Sequence, residues 1–219
     1  MSKVNSSVCI AALALAVSGC ATTDSNTNSA AIDAAVEEAR LDTLPATPEE
    51  IAAAGRTDPL TRANFWSKEY EKNPANLETA VSFVNALREI GSHDRVIAVA
   101  SRTATLHPDS DALMLAIGRS YLSQGQNAAA TAALTHATSI NSANPDAYSA
   151  LGLSLDRQER HLDAQAAYRR ALELDPTRTS TRSNFALSLA LASDLSGAEA
   201  ELRRAVSERS DDTRLRENL

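Results

Sequence analysis

The side chains that most often carry out chemistry are few in this sequence and lie far apart. Four histidines and two cysteines occur in 219 residues: His93, His107, His136, His161, Cys9 and Cys20. No histidine stands at metal-ligand spacing from another histidine or from a cysteine, so no metal site is predicted. The sequence also lacks a nucleophile elbow, a phosphate loop and an HExxH helix.

Three pairs of adjacent carboxylates remain as candidates for acid–base chemistry. They are Glu37-Glu38, Glu49-Glu50 and Asp211-Asp212, mostly in predicted loops or helix starts, where they indicate solvated charge. We therefore predict no catalytic residue and no cofactor, and a protein that is not an enzyme. A net charge of −7 disfavours a nucleic-acid partner, because phosphate binding needs concentrated Lys and Arg.

Cys20 is the one residue with a predicted covalent modification. Residues 8–17 form an uncharged, mostly apolar run after Lys3, which is typical of a signal peptide. The run is too short to cross a bilayer core of ~30 Å. It ends in Val17-Ser18-Gly19-Cys20, which resembles the bacterial lipobox, and this implies removal of residues 1–19 and attachment of diacylglycerol to Cys20. Ordinary cleavage near Ala21, releasing a soluble protein, is the alternative.

The residues after the lipobox predict a destination and a tether. An Asp after the lipidated cysteine usually retains Gram-negative lipoproteins at the inner membrane, so Ala21 implies the outer membrane, facing the periplasm. Residues 20–57 are rich in Ala, Thr, Ser, Asn and Asp and show no sustained apolar periodicity. We expect a flexible, disordered tether there. Residues 32–41 are a candidate short helix within it.

A 34-residue repeat organises most of the remaining chain. Residues 145–178 place eight side chains at regular positions: Tyr148, Leu151, Gly152, Leu155, Ala164, Tyr168, Ala171 and Pro176. The spacing recurs in residues 111–144 and 179–212, and in degenerate form in residues 77–110. It puts one apolar stripe on each of two helices. The pattern resembles the tetratricopeptide (TPR) motif and predicts an all-α, right-handed α-solenoid of tandem helix-turn-helix repeats.

Small residues at fixed places in the repeat predict how its helices meet. Gly152 and Ala164 allow two backbones to pack closely. Gly91 and Gly125 stand at the same position of successive repeats. They fall between the two helices of their repeats, where a left-handed residue ends the first helix.

The ends of the array are predicted to differ from its repeats. Residues 58–76 look like the second half of an incomplete repeat, and we expect Phe65 and Trp66 to cover the open end of the solenoid rather than form a ligand platform. A solenoid needs a cap at each end. Residues 213–219 begin another first helix, and they are expected to be either a short cap or a sign of truncation.

Resemblance to TPR arrays also implies a binding surface. In such arrays the first helices line a concave groove that binds extended peptides or helices. The corresponding positions here include Asn85, Arg88, Leu115, Arg119, Leu122, Ser149, Leu153, Asp156, Arg157 and Leu187. They lack the ordered Lys and Asn pattern that captures a C-terminal carboxylate, so that ligand is not expected. Solvated or cap-covered positions are the alternative interpretation.

The combination of lipobox and repeats resembles the TadD family, the TPR lipoproteins of tight-adherence (Tad, or Flp) pilus assembly. The likeness covers roughly residues 58–219 and is clearest in Asn184-Phe185-Ala186-Leu187-Ser188-Leu189, Leu202-Arg203-Arg204-Ala205 and Arg214-Leu215-Arg216-Glu217-Asn218-Leu219. It implies protein binding that helps an outer-membrane secretin or other pilus components to assemble. A different periplasmic TPR lipoprotein, such as a type IV pilotin or a cell-envelope scaffold, is the second hypothesis, and an enzyme or its accessory domain is the third.

Overall fold

The computed structural model describes residues 44–217, with side chains described as far as residue 207. Every regular element in this part of the chain is an α-helix. The ten helices are α1 Pro48–Ala54, α2 Pro59–Lys72, α3 Leu77–Glu89, α4 His93–Ala104, α5 Asp111–Ser123, α6 Asn127–Ile140, α7 Pro145–Asp156, α8 His161–Leu174, α9 Thr179–Leu191 and α10 Leu195–Glu217. The predictions for residues 1–43, including the signal peptide, Cys20 and the helix at 32–41, lie outside the described residues.

Helices α3 to α10 form four helix pairs that recur at a constant interval along the chain. The first helices begin at Leu77, Asp111, Pro145 and Thr179, which are the first residues of the four repeats found in the sequence. The second helices begin at His93, Asn127, His161 and Leu195, which are separated by the same interval. The prediction of an all-α, TPR-like solenoid is confirmed.

The packing between repeats places the first helices in one layer. Each helix packs against the next one along the chain, and each first helix also contacts the first helix of the following repeat, in the pairs α3–α5, α5–α7 and α7–α9. Among the described residues, the second helices of neighbouring repeats make no such contact. The first helices therefore form a continuous surface, whereas the second helices stand apart from one another.

Four equivalent turns join the two helices of each repeat. In each turn one residue has a left-handed backbone: Gly91 (φ 69°), Gly125 (φ 73°), Glu159 (φ 61°) and Ser193 (φ 69°). The next residue donates its amide hydrogen to the carbonyl oxygen five positions back, as in Ser92 to Leu87 at 2.9 Å and Arg160 to Leu155 at 3.0 Å. This hydrogen bond and the left-handed residue define a Schellman motif. The left-handed conformation predicted for Gly91 and Gly125 is confirmed.

Side-chain caps begin three of the four first helices. The side-chain oxygens of Asn76, Ser110 and Asn144, which share one repeat position, accept hydrogen bonds from backbone amides three residues further on. These bonds satisfy amide groups that have no partner within the helix. Arg178 stands at the fourth equivalent position and makes no cap.

The core follows the apolar stripes of the repeat. Val96, Ala130 and Ala164 share one repeat position, and all three are completely buried. Close approach of the helices depends on the two glycines of the first helices. A Cβ added to Gly118 would lie 2.5 Å from Cγ of Leu134, and one added to Gly152 would lie 2.6 Å from Cε1 of Tyr168. Both distances are far below normal contact, so a residue without a side chain is required at Gly118 and at Gly152.

Helix α2 covers the first repeat, as the sequence predicted for the half repeat. Tyr70 is buried in the first core cluster, and its ring centroid lies 5.6 Å from that of Phe83. Trp66 packs against the same cluster, and its ring meets that of Phe65 edge-on with centroids 5.1 Å apart.

The structure differs from the sequence prediction at both ends of the array. Helix α1 lies within residues 20–57, for which we expected a tether. A capping box starts it: Oγ1 of Thr47 accepts from the Glu50 amide, and the Glu50 carboxylate accepts from the Thr47 amide at 2.7 Å. Helix α10 continues to Glu217, whereas residues 213–219 were expected to begin a separate helix. No proline follows Leu195 in the sequence, so nothing forces the helix to stop.

Candidate protein-binding groove

A groove of about 360 Å³ lies on the surface formed by the first helices. Residues from α3, α5, α7 and α9, together with the residue that follows α7, contribute to its lining. The lining consists of Arg88, Arg119, Leu122, Ser123, Ser149, Ala150, Leu153, Arg157 and Asn184. Four successive repeats thus supply side chains to one concave site.

Six of the ten residues predicted to bind partners lie in this groove. They are Arg88, Arg119, Leu122, Ser149, Leu153 and Arg157. Three lining residues, Ser123, Ala150 and Asn184, were not predicted. Ala150 directly follows the predicted Ser149, and Asn184 stands at the same place in the next repeat. A prediction that included one more residue on each of these helices would have found both.

The other four predicted residues lie elsewhere. Leu115 belongs to the core and is 9% exposed. Asp156 accepts hydrogen bonds from Nδ1 of His161 at 2.9 Å and from Oγ of Ser188 at 2.7 Å, so it ties α7 to α8 and α9. Asn85 and Leu187 are exposed on the first helices but do not line the groove.

The lining of the groove includes buried apolar side chains, and all of its charged side chains are cationic. Leu122 and Ala150 are 5% and 8% exposed, respectively, and Leu153 in the same lining is half-buried. The charged lining residues are the arginines Arg88, Arg119 and Arg157. None of the lining residues carries a negative charge.

Arg88 differs from the other two arginines in having no hydrogen-bond acceptor for its guanidinium among the described residues. Its half-buried guanidinium makes no ion pair or side-chain hydrogen bond with the described residues. Burial lowers the pKa of Arg88 and the nearby charge of Arg119 lowers it further, and these two effects outweigh the opposing charges of Glu89 and Asp146. An arginine does not lose its proton in proteins, so Arg88 remains a partly desolvated cation.

The other two arginines are each held by one acceptor. Arg119 donates to Asp146, which also accepts from Nη2 of Arg178 at 2.8 Å. Burial by itself raises the pKa of Asp146, but hydrogen bonds from Arg178 and Arg119 outweigh burial, so the pKa lies below its ordinary value. Arg157 donates through Nη1 to the carbonyl oxygen of Leu122 at 2.6 Å. A guanidinium has five N–H donors, so both arginines keep donors for a ligand.

The described residues contain no group of three or more His, Cys, Asp and Glu side chains able to hold a metal ion. In the same part of the chain, no helix combines the length and the apolar character needed to span a membrane.

Comparison with protein families identifies the repeat. Residues 118–159 match the family model described as TPR repeat, and residues 145–178 match the model described as tetratricopeptide repeat. The second match has the same limits as the repeat with eight signature residues. Residues 118–178 therefore match tetratricopeptide repeat models. The comparison with curated proteins gave no significant match.

Solved structures show the same fold at low sequence identity. MamA superposes with a TM-score of 0.65 at 21% identity, covering 72% of this chain and 92% of MamA. A thermophilic TPR protein of Thermus thermophilus, TTC0263, gives a TM-score of 0.62 at 17% identity, covering 82% and 93%. YrrB, described as a TPR protein with an unusual peptide-binding site, gives 0.59 at 22% identity, covering 67% and 75%. TPR repeats indicate a scaffold for interactions between proteins.

Proposed function

We propose that this protein is an outer-membrane lipoprotein that acts as a TPR adaptor and binds protein partners during assembly of a Tad/Flp-type pilus or secretion apparatus. The observation that carries the proposal is the groove, in which four consecutive first helices supply apolar and polar side chains. A concave site with a few placed polar groups is typical of ligand binding. The neighbour YrrB is described as having a peptide-binding site, which supports a peptide or helix as the ligand.

The anchor in this proposal is Cys20, carrying diacylglycerol and a further acyl chain. One acyl chain binds a membrane only marginally, whereas two give stable anchoring. The lipobox resemblance supports this modification, and Ala21 supports the outer membrane, facing the periplasm. The likeness to the TadD family supports a secretin or other pilus-assembly components as the partners.

Co-purification from detergent-solubilised outer membranes tests this proposal. The bait proteins are the wild type, Cys20→Ser, Leu153→Asp in the groove, and Leu162→Asp, whose leucine is 77% exposed on α8. Thermal melting of each bait establishes that it is folded. Mass spectrometry then identifies the proteins recovered with each.

We expect the wild type and Leu162→Asp to recover secretin or pilus-assembly proteins, and Leu153→Asp to lose them. The Cys20→Ser variant should be absent from the membrane fraction and should recover less of these partner proteins than the wild type. Recovery of unrelated envelope proteins through the groove would replace the pilus role with that of another periplasmic TPR scaffold. Equal recovery by Leu153→Asp and the wild type would exclude the groove as the binding surface.

A further inference from the structure

We infer that the groove selects acidic segments of partner proteins, in which Asp or Glu residues alternate with aliphatic ones. This inference rests on the proposed role of the groove in protein binding and adds the chemistry of the ligand. It follows from the charge of the lining, from the guanidinium of Arg88 and from the apolar residues in the same lining.

The charge of the groove is opposite to that of the whole protein. The chain has 28 acidic residues, 21 Lys and Arg residues and a net charge of −7. The groove nevertheless has three arginines and no carboxylate in its lining. Asp146 neutralises part of this charge, but it is shared between Arg119 and Arg178. A positive site that is only partly compensated, on an acidic protein, favours a negatively charged ligand over a neutral one.

Arg88 provides the specific contact. Its guanidinium is half-buried and has lost water without gaining a protein acceptor among the described residues. A carboxylate is the acceptor that matches a guanidinium with two parallel hydrogen bonds. A ligand carboxylate at Arg88 would also reduce the repulsion between Arg88 and Arg119.

The groove also offers apolar surface to aliphatic side chains of a ligand. Leu122 and Leu153 lie in the same groove as Arg88, Arg119 and Arg157. Burying aliphatic ligand side chains in this groove removes apolar surface from water. A segment with carboxylates and leucine-like residues therefore satisfies both parts of the lining, whereas a purely acidic run satisfies only one.

The test is a selection of binding peptides from a displayed library of random sequences. The wild-type protein and two arginine variants each serve as the immobilised target. Arg88→Gln removes one positive charge from the groove and keeps a shorter, polar side chain. Arg102→Gln is the matched control, because Arg102 is exposed on α4, the second helix of the same repeat, and has no side-chain partner among the described residues. The most enriched peptide, and the same peptide with Asn and Gln in place of Asp and Glu, are then measured in solution.

We expect the wild type and Arg102→Gln to enrich Asp and Glu together with aliphatic residues. Arg88→Gln should bind the selected peptide about tenfold more weakly, as for the loss of one charge-assisted hydrogen bond. The peptide with Asn and Gln in place of Asp and Glu should lose at least as much affinity for the wild-type protein. Binding should also weaken as salt approaches about 1 M, where the Debye length is only about 3 Å.

Selected peptides without an acidic excess would overturn the inference, as would an equal affinity of Arg88→Gln and the wild type. Vesicles with phosphatidylglycerol are a parallel probe. If Arg88 governs vesicle binding and no acidic peptide is selected, the cationic site serves an anionic lipid surface and the inference fails. If neutral peptides bind the groove, or pilus components co-purify through it, only the acidic preference fails and the proposed adaptor function stands.

Discussion

Gly152 on α7 and Tyr168 on α8 are in such close contact that no side chain fits at position 152. A Cβ built on Gly152 would lie 2.6 Å, 2.7 Å and 2.8 Å from three atoms of the Tyr168 ring. Tyr168 is completely buried, so the ring cannot move towards solvent. The two helices of the third repeat can therefore approach this closely only because residue 152 has no side chain.

Replacing Gly152 with Ala should lower the free energy of unfolding by about 1–3 kcal/mol, the usual cost of overpacking a core. Urea denaturation measures this change. Gly55→Ala is the matched control, because Gly55 has a right-handed backbone and its added Cβ would be 3.5 Å from the nearest atom. That variant should be neutral or slightly more stable. Equal stability of Gly152→Ala and the wild type would contradict the packing.

The left-handed turns predict two stabilising substitutions. Glu159 and Ser193 adopt positive φ at the positions where the first two repeats have glycine. A left-handed conformation costs an ordinary residue about 1–2 kcal/mol. Glu159→Gly and Ser193→Gly should therefore raise the midpoint of urea unfolding, and the two effects should add because the sites are in different repeats.

Gly125→Ala is the control for this prediction and should lower the midpoint. No atom lies within 4 Å of the Cβ that it would add, so its cost comes from the backbone conformation alone. Stabilisation by Gly125→Ala, or destabilisation by both glycine substitutions, would show that the turns do not strain these residues.

The buried hydroxyl of Tyr168 predicts that the free energy of unfolding decreases at high pH. Burial, and then the charge of Asp156, raise the pKa of Tyr168 above its ordinary value of 10.0. Above that pH the unfolded chain loses the phenol proton while the folded chain keeps it, so stability falls as pH rises. The slope approaches about 1.4 kcal/mol per pH unit.

Tyr168→Phe should remove this part of the alkaline loss. At neutral pH the phenol is protonated in both the folded and the unfolded chain, so the difference in stability between Tyr168→Phe and the wild type should not change with pH there. Unfolding free energies measured from about pH 8 to pH 11 test both statements. Parallel curves for the two proteins would rule out Tyr168 as the titrating group.

Two leucines at the same repeat position should respond differently to truncation. Leu134 is completely buried against Gly118, whereas Leu202, two repeats later, is 49% exposed on α10. Leu134→Ala should cost about 2–5 kcal/mol, and Leu202→Ala less than about 1 kcal/mol. Thermal and urea unfolding provide the comparison. Similar losses at both sites would mean that Leu202 is covered in solution.

Most of the fold prediction depended on the regular spacing of the repeats. Because the same residue types recur at a fixed interval, the sequence located the starts of the four first helices and the left-handed turns at Gly91 and Gly125. It did not reveal that Glu159 and Ser193 adopt the same conformation, because neither residue type favours positive φ. There the hydrogen bonds of the motif and the packing of the helices impose the conformation on the residue.

Helix α1 and the length of α10 were harder to predict for local reasons. Thr47, Pro48 and Glu50 carry the start signal of α1, but the helix is only seven residues long and has little apolar periodicity. Helix α10 lacks the proline that follows α6 and α8 at Pro145 and Pro176. Periodicity locates the buried face of a helix, whereas such local residues set its ends.

Register predicted the face on which the groove lies, but it did not predict the pairing of charges within it. Arg119 and Asp146 come from different repeats, and Arg178 reaches the same carboxylate from the position where Asn144 and Ser110 cap their helices. Asp156 was placed in the groove by its register, yet His161 and Ser188 bind its carboxylate. Such contacts depend on which rotamers meet between helices, and the repeat pattern does not contain that information.

Contacts confined to neighbouring helix pairs have an evolutionary consequence. Because no described repeat depends on a distant one, duplication or loss of one whole repeat preserves the rules by which the remaining repeats pack. Each such event would lengthen or shorten the surface formed by the first helices by one helix spacing, about 8–10 Å. The reach of the groove along an extended partner can thus evolve in steps, independently of the substitutions that change its charge.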